Sequence, residues 1–343
     1  MVQKAVQKLV AGTSLSREEA GAAAEEIMTG GATPAQIAAF LVALRMNGET
    51  VDEISGMAAV MREKALHVET DGDVVDVVGT GGDGMGTFNI STAAAVVTAA
   101  CGVKVAKHGN RAASSTVGSA DILEANGVKL ELSPASVKRC IDEVGIGFMF
   151  APAFHPAMRF AGPVRHELGV RTVFNILGPL TNPAGASYQV LGVGLPGIAE
   201  MMAGVLAALG TKHSWVVRGD DGLDEVTTTT TTQVWEVAGG KVRHFEVSPE
   251  DAGLARAALA DVQVGDADAH QAAFLEALGQ GAALGKGASP FKDIVLLNAA
   301  AALVVAGRAA DLRAGVSTAR EAVDGGAAAE TLRALAVLSQ TLE

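Results

Sequence analysis

The sequence predicts an α/β protein in which a small helical region precedes a larger domain with a mostly parallel central sheet flanked by helices. Three observations predict it. Apolar residues recur at helical spacing from Val2 to about Lys64 with no strand signal. From residue 74 onward, short β-rich runs alternate with glycine-rich loops and helical stretches, the pattern of a parallel sheet wrapped by helices. Two further β-rich runs, separated by Gly239-Gly240, read as a hairpin.

In chain order, Ser16 before Arg17-Glu18-Glu19, and Thr33-Pro34, mark helix starts. Gly30-Gly31 and Gly48 separate the short helices of this first region, and a boundary falls near residue 70. A strand is expected over 74–78, then a glycine-rich loop, a helix over about 91–100 and a second strand over 103–106. A polar loop leads to a helix over 119–125. Ser133-Pro134 opens another that ends at Gly145. Residues 189–193 and 214–217 continue the strand series, and 234–237 with 242–247 form the hairpin. A last apolar helix runs from about Pro290 to Gly307. The domains expected are therefore residues 1–70, with a helical contribution from about 156–185, and residues 71–343. The Thr227 to Thr232 run has high β propensity and no evident chemistry.

With 343 residues, 49% of them hydrophobic, the chain can bury a large core. A formal charge of -12 argues against a broad nucleic-acid surface but leaves room for a small anion held by a few local cations. Cys101 and Cys140 form neither a Cys-x-x-Cys pair nor a metal-ligand set, and read as buried thiols in a reducing compartment. The first residues carry no apolar core of a signal peptide, and no apolar run reaches the roughly 18 residues of a membrane span. A cytoplasmic protein without membrane or nucleic-acid partners is the expectation.

Gly79-Thr80-Gly81-Gly82-Asp83-Gly84 lies between a strand and a helix, where free amides and a positive helix end hold phosphate. It matches the dinucleotide fingerprint formally. The second strand, however, ends in Lys104, Ala106 and Lys107, not in an acidic ribose partner, and no Gly-Lys-Ser/Thr follows. Asn89 to Thr92 offer an amide and two hydroxyls at a helix start, which serve equally for ordinary capping or for a ligand. Lys107-His108-Gly109-Asn110-Arg111-Ala112-Ala113-Ser114-Ser115, followed by Gly118-Ser119, sits after the next strand. It gathers two cations, an amide and hydroxyls that suit an anion. Asp220-Asp221-Gly222-Leu223-Asp224-Glu225 follows a later strand; it is either a solvated acidic turn or a magnesium site shared with substrate phosphates. Arg159, Arg165, His166 and Arg171 are candidates for carboxylate recognition, and spacing alone does not choose among them. His108 and His155 read as hydrogen-bonded loop histidines rather than bases.

These segments together, with 87–92 (Thr-Phe-Asn-Ile-Ser-Thr), Gly118-Ser119-Ala120-Asp121, Asn175-Ile-Leu-Gly-Pro-Leu-Thr-Asn-Pro183 and Gly222-Leu223-Asp224-Glu225, resemble the successive signatures of the anthranilate phosphoribosyltransferase family, in order and over nearly the whole chain. The resemblance implies a nucleoside phosphorylase-type fold and a homodimer. It implies phosphoribosyl pyrophosphate against Gly79, Gly82, Asp83, Thr87, Asn89, Ile90, Ser91, Thr92, the loop Lys107, His108, Gly109, Asn110, Arg111, Ala112, Ala113, Ser114 and Ser115, and Ser119. Magnesium (Mg2+) falls to Ser91, Asp224 and Glu225. Anthranilate falls to Asn110 and Arg165, with Gly79, His108 and Gly178 lining its approach. Phe154 stands where many relatives have a second histidine, His166 where Arg or Lys is common, and the threonine run where Gly-Pro often occurs. The rivals are a pyrimidine nucleoside phosphorylase, a non-catalytic nucleic-acid-binding paralogue and, more weakly, an NAD-dependent dehydrogenase. The intact glycine-rich and Lys-His-Gly-Asn loops, with the carboxylate pair, favour the pyrophosphate substrate.

Overall fold

Ser16, Thr33 and Thr50 each start a helix by accepting a hydrogen bond from the amide three residues on. Glu19, Gln36 and Glu53 accept one back from the capping residue's own amide. In the computed structural model, which describes residues 1–112, 116–280 and 289–343, these helices are α2 (Arg17–Met28), α3 (Pro34–Asn47) and α4 (Val51–Glu63), preceded by α1 (Val2–Val10). α2 and α4 touch closely at Gly56, where a Cβ would stand 2.1 Å from the Arg17 carbonyl oxygen.

The body alternates from β1 (Val75–Gly79) through α5 (Ile90–Ala100), β2 (Val105–Gly109), α6 (Ser119–Ala125) and α7 (Pro134–Val144) to β3 (Ile146–Phe150). Short helices α8 (Ala151–Phe154), α9 (Gly162–Leu168) and α10 (Phe174–Leu177) lead to β4 (Tyr188–Gly192), α11 (Ala199–Ala208) and β5 (His213–Gly219). The hairpin β6 (Thr232–Ala238) and β7 (Lys241–Val247) follows, then α12 (Ala267–Ala277), α13 (Pro290–Val305), α14 (Leu312–Asp324) and α15 (Ala327–Gln340). One seven-stranded sheet has the order β3-β2-β1-β4-β5-β6-β7, parallel through β5 and antiparallel beyond it.

Successive strand residues point to opposite faces of this sheet. Val190, Trp215, Val217 and Val234 join a core with α5 and α13, whereas Leu191, Val216 and Val237 join another with α11 and α1 to α4. Ala161, Val164, Phe174, Ile176 and Leu180 belong to that second core, which ties residues 161–180 to the helical region.

Several local expectations change. β2 extends through Lys107, His108 and Gly109, because these residues pair with Phe148, Met149 and Phe150 of β3; the two side chains belong to a strand, not a loop. β3 itself escapes sequence reading since its five buried residues show no alternation and pass directly into α8. Of the threonine run only Thr232 lies in β6. The chain also continues past α13 into α14 and α15, so the apolar helix at 290–305 is not the last.

Candidate active site

A cavity of about 930 Å³ opens at the carboxyl ends of β1 and β2, closed on one side by the turn after β5. Its floor is the glycine-rich loop, where Gly81, Gly82, Gly84 and Gly86 all adopt positive φ between 65° and 74°. That conformation leaves amides free to face an anion. The Gly81 amide donates to Asp224 Oδ2 at 2.8 Å, and the Thr80 amide to the Gly192 carbonyl at 2.9 Å. Arg171 holds the far side of the loop by donating to the Gly82 carbonyl at 2.7 Å, and Arg45 of α3 donates in turn to the Arg171 carbonyl.

Asn89 does not cap α5. Its amide nitrogen donates to the Val117 carbonyl at 2.9 Å, while its Oδ1, like Thr92 Oγ1, is buried in the cavity wall with no partner among the described residues. Buried polar atoms are ordinarily paired, so two unpaired ones beside free amides mark a place built for a polar ligand. Ser91 donates its amide to Glu225 Oε1 at 3.2 Å.

Three carboxylates converge opposite this helix end. Asp224 lies under Asp83, its amide 3.5 Å from Asp83 Oδ2. Burial, then the Asp83 charge, push the Asp224 carboxyl up to about 7; burial and Asp224 push Glu225 well above the usual carboxylate range. Lys107, 2% exposed, donates to the Val77 carbonyl at 2.6 Å and lies between Asp76 and Glu225; burial pushes its ammonium down. Asp76, pushed up to about 6 by burial, accepts from Asn182 Nδ2 at 2.8 Å and from the His108 amide at 3.3 Å. A backbone close approach fixes the acidic turn against the sheet: a Cβ on Gly192 would stand 1.6 Å from the Asp224 carbonyl oxygen.

The threonine run braces the same turn. Thr227 Oγ1 donates to Asp221 Oδ2 at 2.8 Å, Thr229 Oγ1 donates to the same oxygen, and the Leu223 amide donates to Asp221 Oδ1 at 3.0 Å. Among the described residues no three His, Cys, Asp or Glu side chains form a complete metal cage. A pair of acidic side chains beside a hydroxyl suits the other arrangement, in which magnesium completes its shell with water and substrate phosphate.

The structure gathers Gly79, Gly82, Asp83, Thr87, Asn89 to Thr92, Lys107 to Ala112, Ser119, Asp224 and Glu225 around the cavity. Ala113, Ser114 and Ser115 lie outside the described residues. Arg111 lines the wall but is engaged by Asp121 and Glu124 at 2.8 and 2.7 Å. Asn110 and Ser119 join through the Asn110 amide, which donates to Ser119 Oγ at 3.2 Å. Arg165 and Gly178 are not on the cavity wall: the Arg165 guanidinium sits 5.3 Å over the Phe174 ring, and the Gly178 backbone hydrogen-bonds to the His108 ring. His108 and His155 face each other at 5.1 Å, and burial pushes them down to about 3 and about 4, so both rings are neutral near pH 7. Sequence reading missed Asp76, Leu195 and His270; the first is hidden in an apolar strand, and the other two carry no motif.

The glycine-rich loop and the acidic turn share this cavity in an α/β domain that follows a helical one, and comparison places that architecture among the glycosyl transferases. Residues 71–329 match the glycosyl transferase family a/b domain, and residues 3–65 the helical bundle domain of that family. The anthranilate phosphoribosyltransferase of Chloroflexus aggregans is 55% identical over 99% of this chain and 98% of its own length. The crystal structure of that enzyme from Thermus thermophilus superposes with a TM-score of 0.90 at 45% identity, over 98% of this chain and 99% of its own. The Saccharomyces cerevisiae enzyme, in complex with PRPP and Mg, superposes at 0.89 with 26% identity, over 99% and 98%. This chain belongs to the anthranilate phosphoribosyltransferase family, which consists of pentosyl-transferring glycosyltransferases.

Proposed function

We propose that this chain transfers the phosphoribosyl group of phosphoribosyl pyrophosphate to the amine of anthranilate, giving N-(5-phosphoribosyl)anthranilate and pyrophosphate on the route to tryptophan. The observation that carries the reading is the convergence of the positive-φ glycine loop, the unpartnered Asn89 and Thr92 oxygens and the Asp224-Glu225 turn on one cavity.

The bond from the anomeric carbon to pyrophosphate breaks as the bond from nitrogen forms, through a state with oxocarbenium character. Amides of residues 82–84 and the positive end of α5 stabilise charge growing on the leaving oxygen. Ser91, Asp224 and Glu225 would hold magnesium, whose chemistry when bound is to neutralise pyrophosphate. Lys107 offsets the acidic cluster from behind. Asn110 and Arg165 position the anthranilate, so orientation supplies much of the rate; Arg165 reaches it from beside Phe174, outside the present cavity wall. His108 is neutral and too weak a base to take the proton, which leaves the nitrogen to water or pyrophosphate. The protein works as a cytoplasmic homodimer; two free cysteines suit a reducing compartment, and among the described residues no helix is long and apolar enough to cross a membrane.

The reaction is tested by following the fluorescence of anthranilate on adding protein, phosphoribosyl pyrophosphate and magnesium. A decline requiring all three establishes the reaction. Absence of decline with folded protein, together with phosphorolysis of a pyrimidine nucleoside, would replace it by the phosphorylase reading.

A further inference from the structure

His270 is 2% exposed, yet it lines the cavity. Among the described residues no hydrogen bond engages its ring, and its Nδ1 is fully buried without a partner. A buried histidine left unpaired loses its hydration without recompense unless a ligand supplies the missing contact. α12 carries His270, and packs against α5 and α6, the helices that present Asn89 to Thr92 and Ser119. Its neighbour Gln271 anchors the helix through a reciprocal amide pair with Asn126 at the end of α6, at 2.9 and 3.1 Å, so the ring is held rather than free to swing. Phe274, one turn further along α12, is fully buried in the main core. With Nδ1 enclosed by protein, the remaining polar edge available to the cavity is Nε2.

We propose that His270 is a further substrate-binding residue, whose Nε2–H donates a hydrogen bond to a phosphoryl oxygen of the phosphorylated sugar substrate. The inference rests on the proposed reaction for the identity of that substrate. A neutral imidazole suits this role, because the N–H donates to phosphate while the buried Nδ1 remains an acceptor, and an unfilled acceptor is tolerated better than an unfilled donor. Burial pushes the ring toward this neutral form. The residues already assigned to the sugar pyrophosphate come from β1, β2 and the starts of α5 and α6; His270 adds a contact from a helix much later in the chain.

Two substitutions test it. The amide nitrogen of His270→Gln can occupy the Nε2 position, whereas His270→Leu fills similar space without a donor. Binding of phosphoribosyl pyrophosphate with magnesium is measured by calorimetry, alongside KM for both substrates and the thermal midpoint. The expected result is that His270→Leu weakens phosphoribosyl pyrophosphate binding about tenfold or more, that His270→Gln recovers most of it, and that the KM for anthranilate changes little. Equal binding by the leucine variant and the parent overturns the contact, as does a loss in both variants that follows a fallen midpoint. Calorimetry reads the contact even if turnover is absent, so failure of the proposed reaction is separable from failure of the contact.

Discussion

Asp224→Asn removes one negative charge from a cluster that is costly to assemble without its cation. Raising the carboxyl from 3.8 to about 7, at about 1.4 kcal/mol per pH unit, sets an upper limit of about 4 kcal/mol on the cost of keeping it ionised in the folded protein. Asp224 is half-buried, and solvent relieves part of that cost, leaving about 2 kcal/mol. The sign follows from proton binding: between the ordinary carboxylate range and pH 7 the folded state holds a proton that the unfolded state has lost, so metal-free stability falls as pH rises through this window. Asparagine escapes the penalty and still offers an oxygen to the Gly81 amide. In metal-free buffer, thermal unfolding at pH 8 should place the variant a few degrees above the parent, and the gap should narrow at pH 5 and close only as pH falls to the ordinary carboxylate range. Magnesium-dependent turnover at pH 8 should fall severely. A variant less stable than the parent at pH 8, or a gain independent of pH, would refute the reasoning.

Arg165→Ala should raise the anthranilate KM by about tenfold or more, with the KM for the sugar pyrophosphate nearly unchanged; steady-state kinetics that show the reverse reassign the residue. Asp221→Ala removes the carboxylate that accepts from the hydroxyls of Thr227 and Thr229 and from the Leu223 amide; denaturant titration should show a loss of about 2–3 kcal/mol, with a higher magnesium requirement in the activity assay. Gly192→Ala must displace the Asp224 backbone, a strain of about 1–3 kcal/mol, and should raise the magnesium concentration for half-maximal rate. An unchanged magnesium dependence would show that the turn absorbs the methyl group elsewhere.

Ser16 and Thr33 announce their helices because capping is a local matter, decided within four residues. The glycine loop is legible for the same reason, since its residues carry the strand-to-helix turn themselves. The length of β2 is not local: Lys107 and His108 are strand residues only because β3 lies beside them. Asn89 looks like a cap from its place before α5, but the Val117 carbonyl, 28 positions away, takes its amide. The threonine run invites a strand by composition; its first residues turn inward because Asp221 offers a better hydrogen-bonding partner than a neighbouring strand. Arg165 stands out only through resemblance, and the structure sets it against Phe174, off the cavity wall. His270 has no signal of its own, for an isolated histidine in an alanine-rich helix acquires meaning only when the helix is placed against the cavity.

The link from Arg45 through the Arg171 backbone to the Gly82 carbonyl bears on chimaeras of this enzyme. A donor sequence grafted over residues 1–65 can reproduce every cap and every apolar contact of the helical layer and still omit the guanidinium on α3. Such a hybrid would fold and keep its catalytic groups, but the segment holding Arg171 would be untethered, and Arg171 would grip the glycine loop less firmly. Parent selection for recombination should therefore pair position 45 with position 171 as one inherited unit, although 126 residues separate them.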